Sequence, residues 1–167
     1  MLKKKSVNTS NAVRLVLTVM SIMAADSHAR AQQPTTQNNA AVDTVLVREL
    51  NADEYGMKTY VVALLKAGPN RNQDSATAAN LLAAHLANIQ RLAKEGKLVI
   101  AGPFMDDTDL KGIYVFNVQS VEEAKALTET DPAIKAGRLV MELHPWYGSA
   151  ALQKINEIHA RIQSRHF

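Results

Sequence analysis

From Met57 onward the chain alternates between short apolar runs and segments whose apolar residues recur at helical spacing. Lys58-Thr-Tyr-Val-Val-Ala-Leu-Leu-Lys66 is rich in β-branched and aromatic residues and is followed by Gly68-Pro69-Asn70, which predicts a strand closed by a turn. Ser75 is a candidate cap for a long helix over Ala76 to Glu95, with Gly96 as its stop. Leu82, Leu86, Ile89 and Ala93 form the apolar stripe of that helix. Lys97 to Phe104, ended by Gly102-Pro103, and Gly112 to Val118 predict two further strands, joined by the acidic loop Met105 to Lys111. Ser120 and Glu123 have the spacing of a capping box and start a second helix, Val121 to Thr128. Asp131-Pro132 breaks it, because a residue ahead of proline is driven away from helical backbone, and a turn is expected as far as Gly137. Arg138 to Trp146 alternates as a fourth strand. Ala150 to Gln163, with Leu152, Ile155, Ile158 and Ile162 at helical spacing, predicts a terminal helix.

The order β-α-β-β-α-β, then α, predicts an α+β fold of ferredoxin-like type: a four-stranded antiparallel sheet with both helices on one face and an extra C-terminal helix. Helices on one side leave the other sheet face to be buried differently. On the fourth strand Leu139, Met141 and Leu143 make one set, and Val140, Glu142, His144 and Trp146 the other. The second set mixes apolar bulk with two ionisable groups, which leads to the expectation of a homodimer docked sheet against sheet around a cavity.

Composition changes the picture chiefly at the N-terminus. The 167 residues suit one ordinary domain with an appendage, and the absence of Cys excludes a disulfide scaffold, a thiolate metal site and a cysteine nucleophile. The formal charge is +3, but residues 1–31 hold five Lys/Arg and one acid, leaving 14 basic and 15 acidic residues from Gln32 onward, a net charge of −1. A near-neutral body gives no electrostatic footprint for nucleic acid. Lys3-Lys4-Lys5 followed by the apolar run Leu15 to Ala25 reads as a signal peptide over 1–31, cut after Ala31. The run is shorter than the about 20 residues that span a bilayer, so the expected location is periplasmic or secreted, with no membrane association after cleavage. Gln32 to Asn39 is polar and reads as a disordered spacer, and residues 42–56 as a lead-in containing a stray strand or turn of helix. The expected division is therefore 1–31 leader, 32–56 spacer and lead-in, 57–148 domain and 149–167 terminal helix.

Among candidate chemical groups, His85 falls between Leu82 and Ile89 and so sits on or beside the core-facing stripe. A buried imidazole needs partners, and a satisfied structural histidine is the plain alternative to a catalytic one. The carboxylate of Asp131, freed from the second helix by Pro132, could fix its tautomer and leave the other nitrogen as a general base, but the sequence by itself does not place the two residues together. Glu142 and His144 are expected to line the same cavity, and Gly102-Pro103 to end a strand at its rim. Asp106-Asp107-Thr-Asp109 resembles a calcium loop but puts Lys111 and Val118 where oxygen ligands are required, so it reads as a solvated turn. His159 and His166 belong to the terminal helix and its end. No metal and no cofactor are expected.

Tyr60-Val-Val-Ala-Leu-Leu, Ala84-His85-Leu86, Glu95-Gly-Lys-Leu-Val-Ile-Ala-Gly102-Pro-Phe104, Val121-Glu-Glu-Ala124, Thr130-Asp-Pro-Ala-Ile-Lys-Ala-Gly137 and Pro145-Trp146, in that order and spacing, resemble a YciI-like (YCII-related) domain over about residues 57–148. The resemblance implies a dimeric α/β-barrel relative of the ferredoxin-like fold with a small-molecule pocket around His85 and Asp131. It is similar to a dehydrochlorinase of chlorinated hydroxyhydroquinones and, more distantly, to muconolactone-isomerase-like barrels, in which a His base removes a proton while charge develops on oxygen. Lyase or isomerase chemistry is the expectation. A binding module without reaction and a purely structural dimer are the alternatives. The leader, spacer and C-terminal helix depart from the minimal domain.

Overall fold

The computed structural model describes residues 41–165. The leader and the whole spacer, Gln32 to Asn39, lie outside the described residues, as does His166.

Eleven-residue strand β1, Met57–Ala67, is central. It pairs antiparallel with β4, Leu139–Ser149, along its whole length, from Met57 opposite Ser149 to Ala67 opposite Leu139. On its other edge it pairs with β3, Leu110–Phe116, which in turn pairs with β2, Leu98–Pro103, giving the antiparallel order β2-β3-β1-β4. This is the ferredoxin-like arrangement expected from the order of elements. Strand β4 runs three residues past Trp146 because Tyr147, Gly148 and Ser149 meet the partners Thr59, Lys58 and Met57.

Helix α2, Ser75–Lys94, crosses one sheet face. Its cap is Asp74, not Ser75: the Asp74 carboxylate accepts from the Thr77 N–H at 2.8 Å. Gly96, at φ +68°, closes it, with Gly96 N–H donating to Ala93 and Lys97 N–H to Leu92. The buried face carries His85, Asn88 and Leu92, while Leu82, expected in the stripe, is 57% exposed. Helix α3, Val121–Thr128, is capped by Ser120 as its sequence predicts. Where a plain turn was expected, Pro132–Lys135 form a single turn of helix, α4.

The core lies between these helices and the sheet. Val61, Ala63, Leu65, Tyr114 and Phe116 pack there with Leu92, Leu98, Val118 and Ala124. By strand alternation Leu139, Met141 and Leu143 join the same side. On the opposite face Tyr60, Val99 and Val115 form a second cluster, covered by Leu152 from the 3₁₀ turn Ala150–Lys154. The predicted terminal helix is thus this turn followed by α5, Ile155–Ile162. The lead-in contains a helix, α1, Thr44–Glu49, capped by Asp43. Gln153 bonds the Leu50 carbonyl at 2.7 Å, Lys154 bonds Glu49 at 2.6 Å, and the Ala150 N–H reaches the Gly56 carbonyl at 2.9 Å, so the segments before β1 and after β4 are joined.

Candidate active site

Two stretches of small residues create a hollow inside this core. Ala78 and Ala79 on the first turns of α2 line the space together with Ala101, Gly102 and Gly112 of β2 and β3, too little bulk to fill it as Leu92 does farther along the helix. A cavity of about 570 Å³ results, within the range of ligand sites, with His85 and Tyr114 in its wall. Gly112 is required there, because a Cβ on it would stand 2.7 Å from the Gly102 carbonyl.

One short segment places the acidic partner. Asp131 takes the β conformation that Pro132 imposes, and its Oδ1 accepts from the Ala133 N–H at 2.8 Å, capping α4. Its Oδ2 lies 2.7 Å from His85 Nδ1. Arg91 clamps the approach to Asp131 onto α2, its Nη2 donating to Asn88 Oδ1 at 2.8 Å and to Thr130 Oγ1 at 2.9 Å. The end of α4 is equally determined: Gly137, at φ +66°, lets its own N–H reach Ile134 and the Arg138 N–H reach Ala133, a Schellman closure. Thus Asp-Pro at one end and Gly at the other fix Asp131 at the start of the turn and Arg138, a residue of the cavity wall, just past its end.

Asp131 is fully buried and His85 is 8% exposed. Burial pushes the Asp131 carboxyl up, but the hydrogen bond and charge of His85 and the Ala133 and Ile134 N–H groups outweigh it, leaving the group below the ordinary carboxylate value. An ionised Asp131 accepts from the Nδ1–H of His85 and so turns Nε2 outward. There it meets Tyr114, whose hydroxyl is 3.3 Å away and whose ring lies nearly parallel to the imidazole, 6.1 Å between centroids. Burial, and then the Asp131 charge, push the Tyr114 phenol well above its ordinary range, so it stays protonated and donates to Nε2. At 3.3 Å this is a long hydrogen bond that a better partner displaces.

His85, Asp131, Gly102 and Pro103 therefore meet at one site, the last two at the end of β2 in the cavity wall. Glu142 and His144 do not. They occupy the positions on β4 that alternate with Met141 and Leu143, so they leave the sheet on the face away from α2. There they are exposed, Glu142 paired with Lys66 and with His144 Nε2 at 2.9 Å. The hollow beside His85 lies between helix and sheet of one chain, not between two sheets. Tyr114, Lys111 and Arg138 are wall residues that the sequence reading passed over. Asp106 to Asp109 lie in an exposed loop and His159 is exposed on α5. Among the described residues no three His, Asp or Glu side chains converge as a metal site.

The sequence profile of the YCII-related domain matches residues 59–147, more than half of the chain. The chain belongs to the YCII-related family. Another protein similar to this YCII-related chain is the uncharacterized YjpA of Bacillus subtilis, 34% identical over 65 residues, 39% of this chain and 74% of YjpA. Among solved structures, the 5-chloro-2-hydroxyhydroquinone dehydrochlorinase TftG of Burkholderia phenoliruptrix, in complex with 2,5-dihydroxybenzoquinone, is 25% identical, with a TM-score of 0.39 over 53% of this chain and 93% of TftG. The family segment contains His85, Asp131, Tyr114, Arg138 and the glycines of the hollow, whereas α1 and α5 lie outside it.

Proposed function

We propose that the cavity binds a small organic molecule and that His85 acts in it as a general base, in lyase or isomerase chemistry. The observation that carries this reading is the 2.7 Å contact between His85 Nδ1, in the cavity wall, and a fully buried, ionised Asp131 behind it. Asp131 holds the ring and stabilises the imidazolium that forms when Nε2 takes a proton from a carbon next to a carbonyl or a phenol. The electron pair left behind either expels a leaving group as its anion, as in elimination, or takes the proton back from the imidazolium at another atom, as in isomerisation. Turnover screening on halogenated phenols, lactones and quinols tests it. His85→Asn and Asp131→Asn are expected to lose about 100-fold or more in kcat/KM while remaining folded. Unchanged turnover in His85→Asn overturns the assignment.

The Tyr114 hydrogen bond to Nε2 favours a second reading, a binding module in which the base nitrogen stays engaged. Tyr114→Phe separates the two: freeing Nε2 leaves ligand affinity alone in a binder but changes the pH dependence of kcat in an enzyme.

The same proposal includes export and self-association. Lys3 to Lys5 with the apolar run Leu15 to Ala25 supports cleavage after Ala31 and a periplasmic or secreted protein, which N-terminal sequencing of the mature chain tests. Val140 and Trp146, each 41% exposed on the sheet face away from α2, support docking of a second copy there, which sedimentation analysis tests.

A further inference from the structure

Three cationic side chains among the described residues are half-buried without a carboxylate within ion-pair distance: Lys58, Lys111 and Arg138. Lys58 is occupied by Asn117 at 2.7 Å. The other two line the cavity of His85. Lys111 gives one N–H to the Thr108 carbonyl of its own loop. Arg138 gives one of its five N–H donors to the neutral amide of Gln73, at 2.8 Å, and no other side-chain partner is found for it among the described residues. The wall contains no carboxylate: Asp131 lies behind His85, with its two oxygens committed to Nδ1 and to the Ala133 N–H. Apart from His85 and the Tyr114 hydroxyl, the side chains of the rest of the wall are hydrocarbon, including Leu65, Leu82, Leu86, Ile89 and Leu139.

A guanidinium drawn partly out of water and given one neutral partner is under-satisfied, and an anionic oxygen is the group that completes it, through paired charge-assisted hydrogen bonds. The Arg138 position is also built rather than incidental. Gly68 packs against it so closely that a Cβ would stand 2.2 Å from the Gly137 carbonyl, and the Gly68 N–H bonds the Arg138 carbonyl at 2.9 Å. The end of β1 and the Schellman closure of α4 thus hold the backbone of Arg138 from both sides.

We propose that this cavity takes an organic anion: a ring-sized apolar body against Leu82, Leu86 and Ile89, with one carboxylate or phenolate oxygen on Arg138. The inference rests on the reading of the cavity as a ligand site and gives that ligand its charge class. Arg138 is then the residue that selects acid over neutral analogue, while His85 faces the carbon skeleton.

The test is binding, not turnover, so it stands or falls separately from the His85 chemistry. Affinities of the full chain for benzoate, 1-naphthoate and 4-nitrophenolate are compared by calorimetry with those for benzamide, 1-naphthamide and 4-nitroanisole, and the carboxylate and phenolate arms show which anion fits. The acids are expected to bind about tenfold or more tighter than their neutral partners, in line with the worth of a charged hydrogen bond. Arg138→Gln should collapse that ratio to near unity, Arg138→Lys should restore part of it, and His85→Asn should leave it intact. Because Arg138 supports local packing, each variant is first matched to wild type in its unfolding midpoint, and Arg138→Lys serves as the second variant if Arg138→Gln does not fold. Equal binding of acids and neutral analogues, an unchanged ratio in a folded Arg138 variant, or no binding of any acid at millimolar concentration overturns the proposal. A collapsed ratio together with unchanged turnover in His85→Asn would keep the anion site and remove only the base.

Discussion

Asp131 is expected to be the most informative single position, because one carboxylate performs two separable tasks. Its Oδ1 caps α4 through the Ala133 N–H, and its Oδ2 holds His85 Nδ1. Asp131→Ala removes both. Loss of an N-cap costs about 1 kcal/mol, and a buried imidazole N–H left without an acceptor costs about 1–3 kcal/mol, so the change should destabilise the protein by about 2–4 kcal/mol in all. Asp131→Asn retains a carbonyl oxygen for the cap and a polar atom facing Nδ1 but loses the charge, and should cost about 1–2 kcal/mol, the difference between a charged and a neutral hydrogen bond. Urea unfolding followed by Trp146 fluorescence and by helical circular dichroism measures both, with unchanged urea dependence showing that only stability has moved. An Asp131→Ala cost under about 1 kcal/mol, or an asparagine variant as unstable as the alanine one, would refute the double role assigned to this side chain.

The folded-state pKa of Asp131 is lowered below its ordinary value of 3.8, so its ionic contribution is present above that value and is lost as pH falls through the folded pKa. The stability gap between wild type and Asp131→Asn should therefore be widest near neutrality and close below about pH 4, and a constant gap in acid unfolding series would contradict this. Gly112→Ala, whose Cβ would crowd the Gly102 carbonyl, should lower stability by about 1–3 kcal/mol, while Gly102→Ala, with no heavy atom within 4 Å of its Cβ, should be nearly neutral; thermal melts of the pair check the contrast. Leu152→Ala should cost about 2 kcal/mol by uncovering Tyr60, Val99 and Val115, measurable in the same melts.

The architecture was legible because strand and helix periods differ sharply here, and punctuation at Gly68-Pro69, Gly96, Gly102-Pro103 and Asp131-Pro132 separates the elements. The pair His85 and Asp131 was legible only in part: a histidine next to an apolar helical stripe needs a partner and a carboxylate ahead of a proline is free to supply one, but the residues alone do not bring the two together, and only the family resemblance pointed to them as a pair. The face of α2 was not. Apolar spacing points to Leu82 and Leu86, yet these line a hollow, and what the helix buries deepest is His85, Asn88 and Leu92. A cavity needs apolar walls as much as a core does, so periodicity does not tell them apart. Glu142 and His144 show the opposite failure. The alternation along β4 had already put them on the face opposite Leu139, and a histidine carried by the covering helix cannot share a cavity with that face in one chain. Tyr114 and Arg138 were missed because their roles depend on register and on the Gly137 closure, which involve partners distant in sequence.

The joined ends of the domain bear on how the protein can be shortened. Cutting it back to the family segment would remove Leu152 from its aromatic and valine neighbours and Leu50 from Gln153, baring a greasy strip along one flank of the sheet. Removing only one flank would be scarcely better, since each tail is the other's hydrogen-bonding partner. The two extensions act as a clasp, to be kept whole or replaced together.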